Sequence, residues 1–286
     1  MTGTARVHYD PHVDIDWESP WQENMFAMPP ESVSLYGTRR WNALSADQRR
    51  TLALHEAVSL WSTVAYLSAI LTGNQLRRAA EEGLNSPASR AALEEVAGGS
   101  RTTITFGRLV RATSLPPYRP PVGTATAVKL LSFLPLGAAS HAATLLVEET
   151  FARAMVGAVA DVAVEPHVRQ AVKIHDLDCA SRFRFARSEV ISAQGKSNRI
   201  VRAYNRLLLS ILANVILRIT ISPAVYRSVG LSSTRGLLGS RKRRADARRR
   251  NSAAVVEFLD SAGMLDGVLT ARLWKFTGAL PQEENS

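Results

Sequence analysis

Apolar residues recur at helical spacing over several long stretches of this chain, and no stretch shows the sustained alternation of a β-strand. Ser45, followed by Gln48 three residues later, forms a capping-box pattern that predicts a helix start before the apolar run 52–76. Proline and glycine divide the rest into further predicted helices, at about 87–113, 124–162 with room for a kink at Pro135, 165–194, 199–220, 245–262 and 266–277. The pattern therefore predicts an all-α protein, most simply a bundle of long helices.

The chain has 286 residues and 46% hydrophobic content, which is enough to bury one sizeable core and close to the upper size of a single domain. Residues 1–45 are rich in proline and tryptophan, and we interpret them as an irregular segment wrapped over the core. Residues 46–220 would form the core bundle, and 221–286 the C-terminal helices. We predict a single helical domain over 1–286.

The net charge of +10 is unevenly distributed, because residues 241–250 hold seven basic residues against one acidic residue. Such a cluster can attract nucleic acid or anionic lipid. However, it has no interleaved aromatic residues and matches no nucleic-acid motif, so we expect a solvated helix start and no nucleic-acid partner.

The cysteine content and the apolar stretches bear on where the protein works. Cys179 is the single cysteine, so no internal disulfide can form, and a reducing, cytoplasmic setting is expected. The N-terminal residues lack the apolar run of a secretion signal. Polar residues and a proline interrupt the apolar stretches 130–147 and 207–221, so we predict no membrane span.

Four segments carry a resemblance to a known family. They are 72–76 (TGNQL), 99–109 (GSRTTITFGRL), 145–149 (LLVEE) and 175–187 (HDLDCASRFRFAR). In this order and spacing they resemble the ligand helices of the AurF-type p-aminobenzoate N-oxygenase family, over about residues 15–275. The resemblance implies a ferritin-like bundle with extra helices, in which two helices give one Glu each and two give Glu and His to a pair of irons. It also implies a homodimer and a setting in bacterial secondary metabolism.

The family's iron ligands are mostly replaced in this chain. Glu148 and His175 match the family's ligands. The other five positions carry Gly73 for a Glu, Gly99 and Thr102 for a Glu and a His, and Cys179 and Arg182 for a Glu and a His. Glycine donates no side chain, and Arg182 would bring a permanent cation towards the site. We therefore expect no metal and no other cofactor.

The replacements suggest what occupies the former iron site. Arg182 should pair with Glu148, which would otherwise be a buried carboxylate without its metal. Gly73 and Gly99 free volume, so an enlarged pocket is expected, with Gly73, Gly99 and Thr102 as substrate-binding positions.

Several functions remain open from the sequence. The favoured one is a cofactor-independent cyclisation or isomerisation of a small, largely apolar molecule, with Glu148, His175, Arg182 and Cys179 as the candidate catalytic residues. The same residues are also compatible with a structural salt link and a buried filler cysteine. The alternative is therefore a non-catalytic pseudoenzyme or the partner of an active relative. An active di-iron oxygenase is the third option.

Overall fold

The computed structural model of the protein describes residues 14–81, 83, 86–120, 128 and 137–280. The all-α class is confirmed, since within these residues the one β-type pairing is an isolated bridge between Phe26 and Val164. The helices are α1 (Arg39–Ala43), α2 (Ala46–Glu81), α3 (Pro87–Ala112), α4 (Gly137–Met155), α5 (Pro166–Lys196), α6 (Arg199–Ile216), α7 (Ser233–Ser261) and α8 (Val268–Thr277). Short 3-10 helices lie at Pro30–Ser32, Val156–Val159 and Pro223–Val229.

Side-chain caps fix the starts of several helices. The predicted capping box is confirmed: Ser45 N donates to Gln48 Oε1 at 2.9 Å, and Gln48 N donates to Ser45 Oγ at 3.2 Å. At the start of α5, the Glu165 carboxylate accepts from the backbone N–H groups of His167 and Val168 at 2.8 and 3.2 Å. Pro166 then takes the first helical position, where its missing N–H costs nothing.

Some predicted helix boundaries were wrong. α5 passes through Gly195 to Lys196, and α6 ends at Ile216 rather than near residue 220. α7 begins at Ser233 rather than near residue 245, because Ser232 Oγ accepts from Arg235 N at 3.3 Å and caps the helix there. Of the stretch predicted as the third helix, 124–127 and 129–136, with the expected kink at Pro135, lie outside the described residues.

α4 is the central helix of the bundle. It packs against α2, α5, α6 and α7, and the side chains from Ala138 to Ala152 are buried. α2 and α3 pack against each other, and α3 also contacts α5. The N-terminal segment covers the core with fully buried Val33 and Leu35. None of the described helices is long and apolar enough to cross a membrane.

Candidate functional site

Arg182 on α5 joins α3, α4 and α5 by hydrogen bonds. Its Nη1 donates to Glu148 Oε1 on α4 at 2.6 Å, and its Nη2 donates to Thr102 Oγ1 on α3 at 3.1 Å and to Cys179 Sγ at 3.0 Å. The side chains of Arg182 and Glu148 are each only 6% exposed. The predicted contact between Arg182 and Glu148 is therefore confirmed.

Two further carboxylates lie beside this pair. Asp178 Oδ2 is 3.8 Å from Arg182 Nε, and Asp178 Oδ1 accepts from Arg101 Nη2 at 2.8 Å. Glu95 on α3 is 8% exposed and interacts electrostatically with Arg182, Glu148 and Asp178. We call these residues the Arg182 cluster: Glu95, Arg101, Thr102, Glu148, Asp178, Cys179 and Arg182.

Sequence reasoning missed part of this cluster. Asp178 was not among the candidate residues, yet it pairs with Arg101 and lies against Arg182. Glu95 was not considered at all. Glu95 precedes the matched position Gly99 by one helical turn, so the helical repeat alone would have placed both on the same face of α3.

Burial determines the protonation of the cluster. It raises the pKa of the Glu95 carboxyl to about 8, and repulsion from Glu148 adds to the effect. It also raises the pKa of Glu148, against the lowering effect of Arg182, and it raises the pKa of the Cys179 thiol. The pKa of His175 is lowered to about 3, by burial first and by Arg182 second. Cys179 is therefore a neutral thiol, and His175 a neutral imidazole.

His175 does not reach Glu148. Its ring packs edge-on against Phe106 with the ring centroids 5.1 Å apart, and Cys179 Sγ lies 3.5 Å from both ring nitrogens. Among the described residues, His175 has no hydrogen bond to Glu148. Glu148 and His175, both candidate catalytic residues, thus do not form an acid–base pair in this conformation.

The expected enlarged pocket is wrong at the glycines of α3. A Cβ atom on Gly98 would lie 2.6 Å from Arg182 Cδ, and a Cβ atom on Gly99 would overlap the Thr72 side chain. Both spaces are therefore filled by larger neighbours. Gly73 is not brought to the cluster either, because its backbone is exposed and a Cβ atom there would meet no other atom within 4 Å.

The described residues were also compared with the geometry of a metal site. In the part of the chain that the structure describes, no three His, Cys, Asp or Glu residues are grouped so that they could hold a metal ion. The Arg182 cluster nevertheless shares one feature with the ferritin-like carboxylate proteins: charged side chains of neighbouring helices face each other inside an all-α bundle.

A comparison with family models identifies the family. The model of p-aminobenzoate N-oxygenase AurF matches residues 1–263, so the chain belongs to the AurF family of ferritin-like, di-iron helical proteins. None of the curated proteins compared with the chain matches it significantly.

Proposed function

We propose that this chain is a metal-independent member of the family, and that Arg182 connects the helices that metal ions connect in its relatives. The observation that carries the proposal is the 2.6 Å hydrogen bond between Arg182 Nη1 and Glu148 Oε1 in the buried interior. A pair of irons needs several carboxylates and imidazoles. Gly99 and Thr102 offer neither, and a permanent cation already binds Glu148, so the residues present do not fit two iron ions.

The charges of the Arg182 cluster support the proposal, because they balance without a metal. Glu148 is paired with Arg182, and Asp178 with Arg101. Glu95 has a pKa of about 8 and is mainly uncharged at pH 7. A buried group of charges is tolerated when each has a partner and its hydrogen bonds are satisfied.

A non-catalytic function of the cluster is better supported than cyclisation or isomerisation at this position. Burial keeps Cys179 as a thiol, which is a weak nucleophile, and leaves His175 neutral and away from Glu148. The guanidinium of Arg182 is already bound to Glu148, Thr102 and Cys179. A catalytic function of these residues would require an opening beside Arg182. We therefore favour a pseudoenzyme with respect to the family's oxygenation.

Metal analysis tests the proposal directly. The protein purified after expression in iron-rich medium should contain far less than one iron per chain, and a chelator should leave its Tm unchanged. It should also not oxygenate p-aminobenzoate. Stoichiometric iron, or a large drop in Tm on chelation, would contradict the proposal.

A variant with restored ligands provides the positive control for that analysis. It combines Gly99→Glu, Thr102→His, Cys179→Glu and Arg182→His. Thr72→Ala is added, because the Thr72 hydroxyl occupies the space that a side chain at position 99 needs. This variant should bind iron measurably under the same conditions.

Self-association is a separate part of the proposal. The single cysteine supports a cytoplasmic setting. The exposed surface of α6 supports a homodimer. One face of α6 packs in the core, whereas the other exposes an apolar stripe of Ile200, Tyr204, Leu207 and Ile211. Light scattering should give the mass of a dimer, and Ile211→Glu should reduce it to that of a monomer. Lys196→Glu, at the end of α5, is the matched control and should leave the dimer intact. A monomeric native protein would contradict this part.

A further inference from the structure

A cavity of about 360 Å³ lies on the side of α4 opposite the Arg182 cluster. Glu148 faces the cluster, whereas Thr150, Phe151 and Ala154 of the same helix line the cavity. Its volume is in the range of small-molecule sites. Much of its wall is apolar, with contributions from Met28, Val33, Leu60, Phe151, Leu217 and Ile221.

The polar part of the cavity wall is strongly basic. Five arginines line it, namely Arg153, Arg243, Arg244, Arg248 and Arg250, and Glu31 is the one carboxylate among the described lining residues. None of these arginines is in an ion pair with a carboxylate of the described chain. Burial and the neighbouring arginines lower the pKa of Arg248. The cavity therefore has an excess positive charge, which the buried Glu56 carboxyl beside Arg243 and Arg244 offsets only in part.

Neutral groups hold the deeper arginines in place. Arg244 Nη2 donates to the backbone oxygen of Ile221 at 3.0 Å. Arg248 donates from Nε to Leu217 O at 2.9 Å and from Nη1 to Thr277 O at 2.8 Å, so its Nη2 has no partner in the described chain. Carbonyl oxygens orient a guanidinium group without neutralising its charge. Because the group is already oriented, it loses less side-chain entropy when an anion binds, and the free-energy cost of binding is lower.

One observation is not explained by arginines that merely cap helix ends. The Thr150 side chain lines the cavity and is only 2% exposed, yet its hydroxyl has no hydrogen-bond partner among the described residues. Arg153 and Arg250 line the cavity with exposed side chains. A buried hydroxyl without a partner is uncommon unless a ligand or water satisfies it.

We propose that this cavity binds a small anion with an apolar body. Its carboxylate or phosphate group would pair with Arg248 and the neighbouring arginines, which match the geometry of such oxyanions. After rotation about χ1, the Thr150 hydroxyl would donate to the same group, and the apolar body would pack against Leu60 and Phe151. This inference does not depend on the state of the former iron site.

Calorimetry with three probes that share one alkyl chain tests the charge requirement. Decanoate or decyl phosphate should bind at least 10-fold more tightly than decanol, and the difference should shrink as salt is raised. The tighter of the two anions identifies a carboxylate or a phosphate site. Equal affinity for decanol, or no binding of either anion at millimolar concentration, would overturn the proposal.

Variants then locate the site. Arg153→Gln with Arg250→Gln removes two lining cations that make no hydrogen bond in the described chain, and it should weaken binding of the anion at least 10-fold. The matched control is Arg241→Gln with Lys242→Gln, which removes the same charge from exposed positions of α7 outside the cavity and should change affinity less than 2-fold. Ala154→Phe fills the cavity without changing its charge and should abolish binding. Equal loss in the control pair, or full binding by Ala154→Phe, would contradict the location.

Discussion

Replacing Arg182 with methionine is expected to lower the free energy of unfolding by about 3–5 kcal/mol, because it leaves Glu148 buried without its partner. Glu148→Leu alone should be comparably harmful, since it strands the cation. The double variant should recover most of the loss, because two apolar side chains of similar volume can replace a buried ion pair. Denaturant unfolding of the four proteins measures each step.

An exposed ion pair provides the control for this cycle. Arg206 and Asp266 are 3.0 Å apart, with side chains 26% and 59% exposed. Arg206→Met should cost about 1 kcal/mol or less. If the double variant were no more stable than the Arg182 single variant, the pair would not be the main interaction of these groups.

The stability of the protein should fall as pH rises from about 4.5 to about 8, and Glu95→Gln should remove much of this fall. The folded state keeps the Glu95 carboxyl protonated up to a pKa of about 8, whereas the pKa of a free glutamate side chain is 4.5. Between these values the unfolded state binds fewer protons, so each pH unit costs about 1.4 kcal/mol of stability. The variant should match the native protein below pH 4.5 and exceed it by about 5 kcal/mol well above pH 8.

The pH dependence of stability caused by Glu95 must be distinguished from that caused by other buried carboxyls. Burial raises the pKa of Glu56 to about 7, which gives a dependence of the same sign that ends at lower pH. The difference between Glu95→Gln and the native protein isolates the Glu95 contribution. Glu94→Gln is the matched control, since Glu94 is exposed on the same helix. It removes only a weak repulsion of Glu95 and should change the profile far less than Glu95→Gln does. Parallel profiles for Glu95→Gln and the native protein would contradict the assignment.

The fold and half of the site could be predicted from the sequence. Ser45 with Gln48 marks one helix start, and the order of the family-like segments is enough to place Arg182 beside Glu148. Gly73 was misplaced because the resemblance aligns a segment with the family only to within about one residue. On a helix, a shift of one residue changes the direction of a side chain by about 100°. Glu95 was missed because the family's ligand pattern directs attention to Gly99.

The arginine-lined cavity could not be predicted, because residues from distant parts of the sequence form it. Val33, Leu60, Phe151 and Leu217 become neighbours only when the bundle is assembled. The sequence showed residues 241–250 as a basic run, and the expectation of a solvated helix start was wrong. The run lies in the middle of α7, where Arg244 and Arg248 bind backbone carbonyls of neighbouring segments.

The buried pair of Arg182 and Glu148 also fixes the register between two long helices. Apolar packing between α4 and α5 would tolerate a slide by one turn, because similar side chains recur at helical spacing. Such a slide would displace Arg182 by about 5.4 Å and leave two opposite charges unmatched inside the protein. Glu148 and Arg182 therefore make misaligned assemblies of these helices much less stable than the native one, so the pair selects a single alignment during folding.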